Sequence, residues 1–247
     1  MAMTFHEMNP TIKFLTVTCL MFGLAFMYNP WTPLGVFFGT LALQFIFSDV
    51  SWKRWGLFMI PFLLTAVGTL WTTLVFGKEA SGEVMFKLFG NDVTEENVML
   101  AVTLSLRVLA FTALSLLFTL TTDPKRFVYS LMQQGKLSPK IAYSVFVGFR
   151  FFPILKNELM QLYETHALRG VPLETRRDRI RHAPKLLIPL LAGAIRQAER
   201  IAFSMEARGF TGEGRSTYEV IPVTRNDFLL AALLVALFGV SVWAGVR

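Results

Sequence analysis

The 247-residue chain is 53% hydrophobic, contains 24 phenylalanines and is only 17% charged, with a mean hydropathy of +0.50. A soluble domain devotes about a quarter of its residues to charge, so this composition excludes an ordinary aqueous globule and points to an integral membrane protein. The lone cysteine, Cys19, excludes an intramolecular disulfide, and the net charge of +7 matters less for its size than for where it falls.

From the N-terminus, Lys13 precedes an apolar run from Phe14 to Met27, and "YNPWTP" follows without a small-residue cleavage site. This reads as an uncleaved first transmembrane helix and not as a signal peptide. A helical span needs roughly 17–25 apolar residues. Five segments qualify: 12–28, 31–48, 55–77 with Pro61 near its start, 98–120, and 227–246, the first two being the shortest. The expected fold class is therefore an all-α integral membrane protein with about five transmembrane helices. Arg107 sits near the middle of the fourth span. A cation there costs about 2.5–3.5 kcal/mol on insertion scales, so it should face protein or water and pair with a backbone carbonyl or a carboxylate. A structural role for it takes precedence over a coupling role.

Short cytoplasmic loops retain lysine and arginine. Lys53 and Arg54 lie between spans two and three, Lys125 and Arg126 follow span four, and Arg225 precedes span five. The loop 77–97 balances Lys78 and Lys87 against Glu79, Glu83, Asp92, Glu95 and Glu96, which suits the outside. The expected topology has the N-terminus in the cytoplasm and the C-terminus outside. It divides the chain into 1–120 with four spans, a cytoplasmic domain at 121–226, and a last span at 227–247.

The segment 121–226 holds 17 of the 24 Lys+Arg residues and 9 of the 17 acidic ones. A plain connection would need only a few residues, so this segment has a job. Its first arm starts at "KLSPK", where Ser138 suits the N-cap and Pro139 the first helical position. Ile141, Val145, Gly148, Phe152, Leu155, Leu159 and Leu162 then recur at 4-3 spacing, one face of a helix that Pro153 should kink. The second arm is expected from near Pro184, with Leu187, Leu191, Ala194, Ala198, Ile201 and Met205 at the same spacing. The first arm closes in "HALRGV", the second in "SMEARGF". At an offset of 39 residues the two superpose, with Arg169-Gly170 and Arg208-Gly209 in one register.

Part of this is ordinary helix chemistry. Any packed helical hairpin shows 4-3 stripes, glycine is the commonest residue just past a helix end, and a cation in the last turn gains ~0.3–1 kcal/mol from the helix dipole. None of that requires arginine twice in one register. Guanidinium is a planar fork that binds carboxylate bidentately, as lysine cannot, so two matched arginines suit two matched acidic sockets on a paired partner. The basic run "ETRRDRIRH" at 174–182 reads first as a solvated loop or helix and second as a contact for anionic headgroups. Nucleic acid is not an expected partner. His6, His166 and His182 lack metal-ligand spacing, and "FGKE" at 76–79 lacks the rest of a nucleotide-binding P-loop.

The chain resembles the transmembrane T component of energy-coupling factor transporters, the scaffold of a class of ABC-type micronutrient importers. The resemblance rests on "TTDPKRF" at 121–127, "SPKIA" at 138–142, "FRFFPIL" at 149–155 with Glu158, "ALRG" at 167–170 and "EARGF" at 206–210, with "NPTIK" at 9–13 and "SLRVL" at 105–109 in support. It implies a multi-pass protein of a prokaryotic plasma membrane, not itself an enzyme and without a cofactor of its own, ATP being bound by two partner ATPase subunits. It implies that Ala207-Arg208-Gly209 docks on one ATPase subunit and Leu168-Arg169-Gly170, with leucine in place of the usual alanine, on the other. It implies a platform for a substrate-binding S component, for which Phe149, Phe152, Leu155, Leu159, Leu191 and Ile201 are the candidates. The cargo class would be a vitamin or vitamin precursor first and a transition-metal ion second. The family's N-terminal pattern, Asp-Pro-Arg-x-Lys, reads Asn9-Pro10-Thr11-Ile12-Lys13 here, without the acid and the arginine. A self-contained channel or secondary transporter is the alternative; it predicts inverted repeats, whereas the repeat seen lies in the arms. A membrane-bound transferase would need clustered carboxylates for metal, and Glu206 and Glu213 have few acidic neighbours.

Overall fold

A computed structural model of the chain describes residues 5–48, 51–76, 84–88, 91–171, 175–210 and 220–246. Lys78, Glu79, Glu83, Glu174 and Glu213 lie outside the described residues, as do the side chains of Lys87, Asp92, Arg176, Arg177 and Arg179. Contacts divide the chain into two compact units, one of Met1–Gly135 with Ile221–Arg247 and one of Lys136–Val220.

The first unit contains α1 (Pro10–Ala25), α2 (Trp31–Phe47), α3 (Trp52–Phe76), the strands β1 (Val84–Leu88) and β2 (Asn91–Thr94), α4 (Glu95–Thr121), α5 (Pro124–Gln134) and, at the far end of the chain, a helix Arg225–Val246, here α8. Three of these, α3, α4 and α8, are long and apolar enough to cross a membrane. The apolar helices α1 and α2 are shorter, at 16 and 17 residues. The caps follow local chemistry. Pro10 opens α1 behind Asn9, whose side chain accepts the Thr11 N–H at 3.1 Å, and Pro124 opens α5 behind Asp123, which accepts the Lys125 N–H at 2.8 Å.

Helix directions follow from the pairs that meet. Asn9 meets Asp227, and Gly23 meets Phe238, so α1 and α8 run parallel. Thr32, Gly35 and Gly39 of α2 face Gly245, Ser241 and Leu237 of α8 in reverse order, so these two are antiparallel. Lys13 meets Thr121 while Arg107 meets Met27, so α4 runs against α1. The core sits among these four helices, where Leu20, Leu24, Val36, Leu114, Leu117, Leu230 and Leu234 are buried together. Glycine decides one contact: a Cβ at Gly39 would lie 2.2 Å from a methyl of Leu237, so α2 and α8 approach too closely for a side chain there.

Two elements of this unit go beyond the sequence reading. Part of the loop expected at 77–97 is the antiparallel hairpin β1–β2, whose last residue, Thr94, caps α4 by accepting the Asn97 N–H. After span four the chain forms α5, whose Phe127 closes a ring triangle with Phe14 and Phe118 at centroid distances of 5.3–5.7 Å.

The second unit contains α6 (Pro139–Leu168) and α7 (Arg176–Ala207). Ser138 occupies the N-cap position of α6 ahead of Pro139, although its side chain makes no capping hydrogen bond. The second arm does not begin near Pro184: α7 starts eight residues earlier, with Thr175 at the N-cap and Asp178 in the first turn, and takes Pro184 and Pro189 into its length. Thr175 makes no side-chain capping hydrogen bond, so what favours the earlier start is Asp178 in the first turn, at the positive end of the helix dipole.

Candidate functional site

The two Arg-Gly sequences end their helices in the same way. In α6, Arg169 is the C-cap at φ −82°, ψ 8°, and Gly170 follows at φ +74°. The Gly170 N–H donates to the Ala167 carbonyl at 3.0 Å, and the Val171 N–H reaches back to the His166 carbonyl at 3.1 Å. In α7, Arg208 is the C-cap at φ −89°, ψ 10°, and Gly209 follows at φ +76°. Its N–H donates to Glu206 at 2.9 Å, and the Phe210 N–H reaches back to Met205 at 3.1 Å. This paired pattern is a Schellman motif, which demands a left-handed residue just past the cap. Glycine supplies that conformation without strain. In both cases the arginine is the last residue before the reversal, and both side chains are exposed, as are Leu168 and Ala207.

Local packing distinguishes the second end. A cleft of about 410 Å³ between α6 and α7 is lined from α6 by Tyr143, Val147 and Phe151 and from α7 by Ile201 and Met205. Phe210 turns into it and sets its ring edge-on to Tyr143 at 5.5 Å. The helix end carrying Arg208 is thus backed by aromatic packing.

The expected platform residues divide into two sets. Phe149, Phe152, Leu159 and Leu191 are exposed, Phe152 at 73% and Leu191 at 59%. Leu155 and Ile201 are half-buried, and Ile201 faces the cleft. Those α6 residues that line the cleft alternate with the predicted stripe, and of that stripe only Gly148 lines it. Arg107 takes the partner class its position demands: its guanidinium donates to the Met27 carbonyl and lies 5.8 Å from the centroid of the Tyr28 ring. That carbonyl lies two residues beyond the end of α1.

Comparison with known proteins decides the family. The family model described as CbiQ, cobalt transport protein, matches residues 2–218. An energy-coupling factor transporter transmembrane protein EcfT of Exiguobacterium sibiricum is 34% identical over 187 residues, 72% of this chain and 70% of its own. Proteins of the same name from Macrococcus caseolyticus and Bacillus subtilis are 26% and 27% identical over 93% and 94% of this chain, and over 89% and 90% of their own. The chain belongs to the CbiQ family, as the transmembrane T component of an energy-coupling factor transporter.

In this T component the N-terminal motif has a role that sequence reading assigned only as weak support for the family. Lys13 is fully buried. Its ammonium donates to the carbonyls of Phe5 at 2.5 Å and Thr121 at 3.2 Å, and to the hydroxyls of Thr121 at 3.0 Å and Thr122 at 3.2 Å. Four oxygens around three ammonium protons satisfy a group that is costly to bury bare. Beside it, the buried Asp227 carboxylate accepts the Asn9 N–H at 2.8 Å and the Thr224 N–H at 2.7 Å. The Ser130 hydroxyl bridges to Asn9 Oδ1 at 2.8 Å and receives the Thr11 N–H at 3.1 Å. This polar knot ties the start of α1 to the end of α4, to α5 and to the start of α8. Its sequence signals were Lys13 ahead of the first apolar run and the "NPTIK" motif at 9–13.

Proposed function

We propose that this T component is the scaffold through which two ATPase subunits drive a substrate-binding S component. Arg169 and Arg208 are the docking arginines, each entering an acidic socket on one ATPase subunit, with Gly170 and Gly209 and the neighbouring Ala207 shaping the helix ends that present them. The observation that carries this reading is the identical cap geometry at the two ends: two exposed guanidinium groups, each fixed at the last residue before a left-handed glycine, 39 residues apart. The exposed apolar residues Phe149, Phe152, Leu159 and Leu191, with Leu155 and Ile201 at their margin, are the platform on which the S component rests. The exposure of Phe149, Phe152, Leu159 and Leu191 away from the cleft supports this, whereas Ile201, with Ala198 and Met205 of the second stripe, lines the cleft.

All five apolar helices cross the plasma membrane in this reading, α1 and α2 included, with the N-terminus inside and the C-terminus outside. The two long cytoplasmic helices are amphipathic arms. ATP closes the ATPase pair, the sockets carry the arginines with them, and the arms shift the S component between inward and outward access. The chain performs no chemistry itself, and the S component selects the cargo, a vitamin or vitamin precursor. The family name in the matching model, cobalt transport protein, favours a transition-metal ion as the second cargo class.

Replacing Arg169 and Arg208 with alanine, singly and together, and co-purifying the ATPases tests the docking. A charge-assisted hydrogen bond contributes roughly 1.5–3 kcal/mol, so each single variant should weaken assembly at least tenfold and the double variant should abolish it. Lysine should rescue poorly, because it cannot form the bidentate pair. Wild-type assembly and transport by the double alanine variant would end the proposal.

A further inference from the structure

We infer that Gln133 and Gln134 are positioning residues that pin both chain crossings between the two units to one point on the first unit, so that the arms move from a common base. This rests on the coupling reading above. The units divide at Gly135/Lys136 and again at Val220/Ile221. Immediately inside the first unit, Gln134 Nε2 donates to the Ile221 carbonyl at 3.1 Å, and the Ile221 N–H donates to Gln133 Oε1 at 2.9 Å. Two consecutive amide side chains thus hold both backbone groups of one buried residue, as a neighbouring strand would. The pin is anchored in turn. The Ser130 hydroxyl lies 3.1 Å from Gln134 Oε1 and 2.8 Å from Asn9 Oδ1, and Asn9 Nδ2 donates to the Pro222 carbonyl at 3.4 Å. Lys13 holds Thr121 and Thr122, the residues that lead into α5.

Just beyond the pin the backbone changes character. Lys136, the first residue of the second unit, has φ +53° and is the one non-glycine residue with positive φ among the described residues. It follows the α5 C-cap Gly135, the position at which helices commonly turn left-handed, and a lysine there bears the strain that glycine would avoid. Force applied at Arg169 or Arg208 reaches the membrane helices along the chain only through the two crossings. If these could separate, the displacement would be spent in parting them. Pinned at Ile221, they transmit it together.

The test uses the whole transporter, with both ATPase subunits and the S component, in proteoliposomes. Gln133→Met with Gln134→Met keeps side-chain length and removes both amides. The complex should assemble and hydrolyse ATP, while uptake per ATP falls at least tenfold. Unchanged uptake per ATP would overturn the inference. So would loss of the complex, which would make the pair folding residues. Failure of the docking reading has a different signature, retention of the ATPases by the Arg169→Ala, Arg208→Ala variant. A second measurement places cysteines at the exposed Lys136 and Val220 in a Cys19→Ser background and joins them with a short bis-methanethiosulfonate, which forms a reducible disulfide at each cysteine as sulfinate leaves. Uptake should survive the cross-link. Uptake that stops on cross-linking and returns on reduction would show that the crossings must part, against the inference.

Discussion

At the scale of single residues, the two helix ends depend on backbone conformation more than on space. A Cβ at Gly170 or Gly209 would meet no atom within 4 Å, yet both residues sit near φ +75°. An L-residue pays about 1–2 kcal/mol in that region, and asparagine tolerates it better than alanine does. Gly209→Ala should therefore speed amide exchange in the last turn of α7 and weaken ATPase docking, and Gly209→Asn should do so less despite its larger side chain. If alanine proved the milder change, steric room and not φ would govern the site. Arg107 illustrates the reach of residue-level reading. A cation in mid-helix had to find a carbonyl or a carboxylate, and it found a carbonyl. That the carbonyl belongs to Met27, 80 residues away, follows only from how α4 lies against α1.

At the scale of elements, the α2–α8 contact shows what small residues do between apolar helices. Where lipid and protein are equally apolar, close approach of backbones supplies much of the attraction. Gly35 and Gly39 stand one turn apart on α2 and admit Ser241 and Leu237 of α8. Gly39→Val should overpack this contact at a cost of about 1–3 kcal/mol and lower the melting temperature in detergent. Adding Leu237→Ala should recover part of the loss. Gly68→Val on α3, where a Cβ meets nothing within 4 Å, should stay within about 0.5 kcal/mol of the parent. A melting point lowered equally by both substitutions would refute the close-approach argument. The start of α7 teaches the opposite lesson. Proline marks a helix start only where nothing upstream competes, and here Asp178 sits in an earlier first turn.

At the scale of the whole molecule, the membrane helices can be oriented by charge. The contacts within the first unit bring the starts of α1 and α8 to the same end as the close of α2 and α4. Lys53, Arg54, Lys125, Arg126 and Arg225 flank that end in sequence, and it is the end that the proposed topology, drawn from the positive-inside rule, turns toward the cytoplasm. In a Cys19→Ser background, a cysteine at Trp31 should react in intact cells with a maleimide that cannot cross the membrane, and one at Ser51 only after permeabilisation. The reverse pattern would invert the proposed topology. Much of this molecule was legible in one sequence, because its elements arise from short-range physics. Apolar length marks the membrane helices, 4-3 spacing marks the long helices of the second unit, and a cap followed by glycine marks their ends, all over a few residues. The family was legible from the resemblance of its motifs, and the shared register of Arg169 and Arg208 from the 39-residue offset alone. What only the tertiary structure decided is pairing across long separations. Asn9 holds Asp227 across 218 residues, and Gln133 holds Ile221 across 88. Hydrogen bonds of that kind leave no period in a sequence, since each side chain involved would look equally at home facing water. Their burial and partners exist only once the helices have packed.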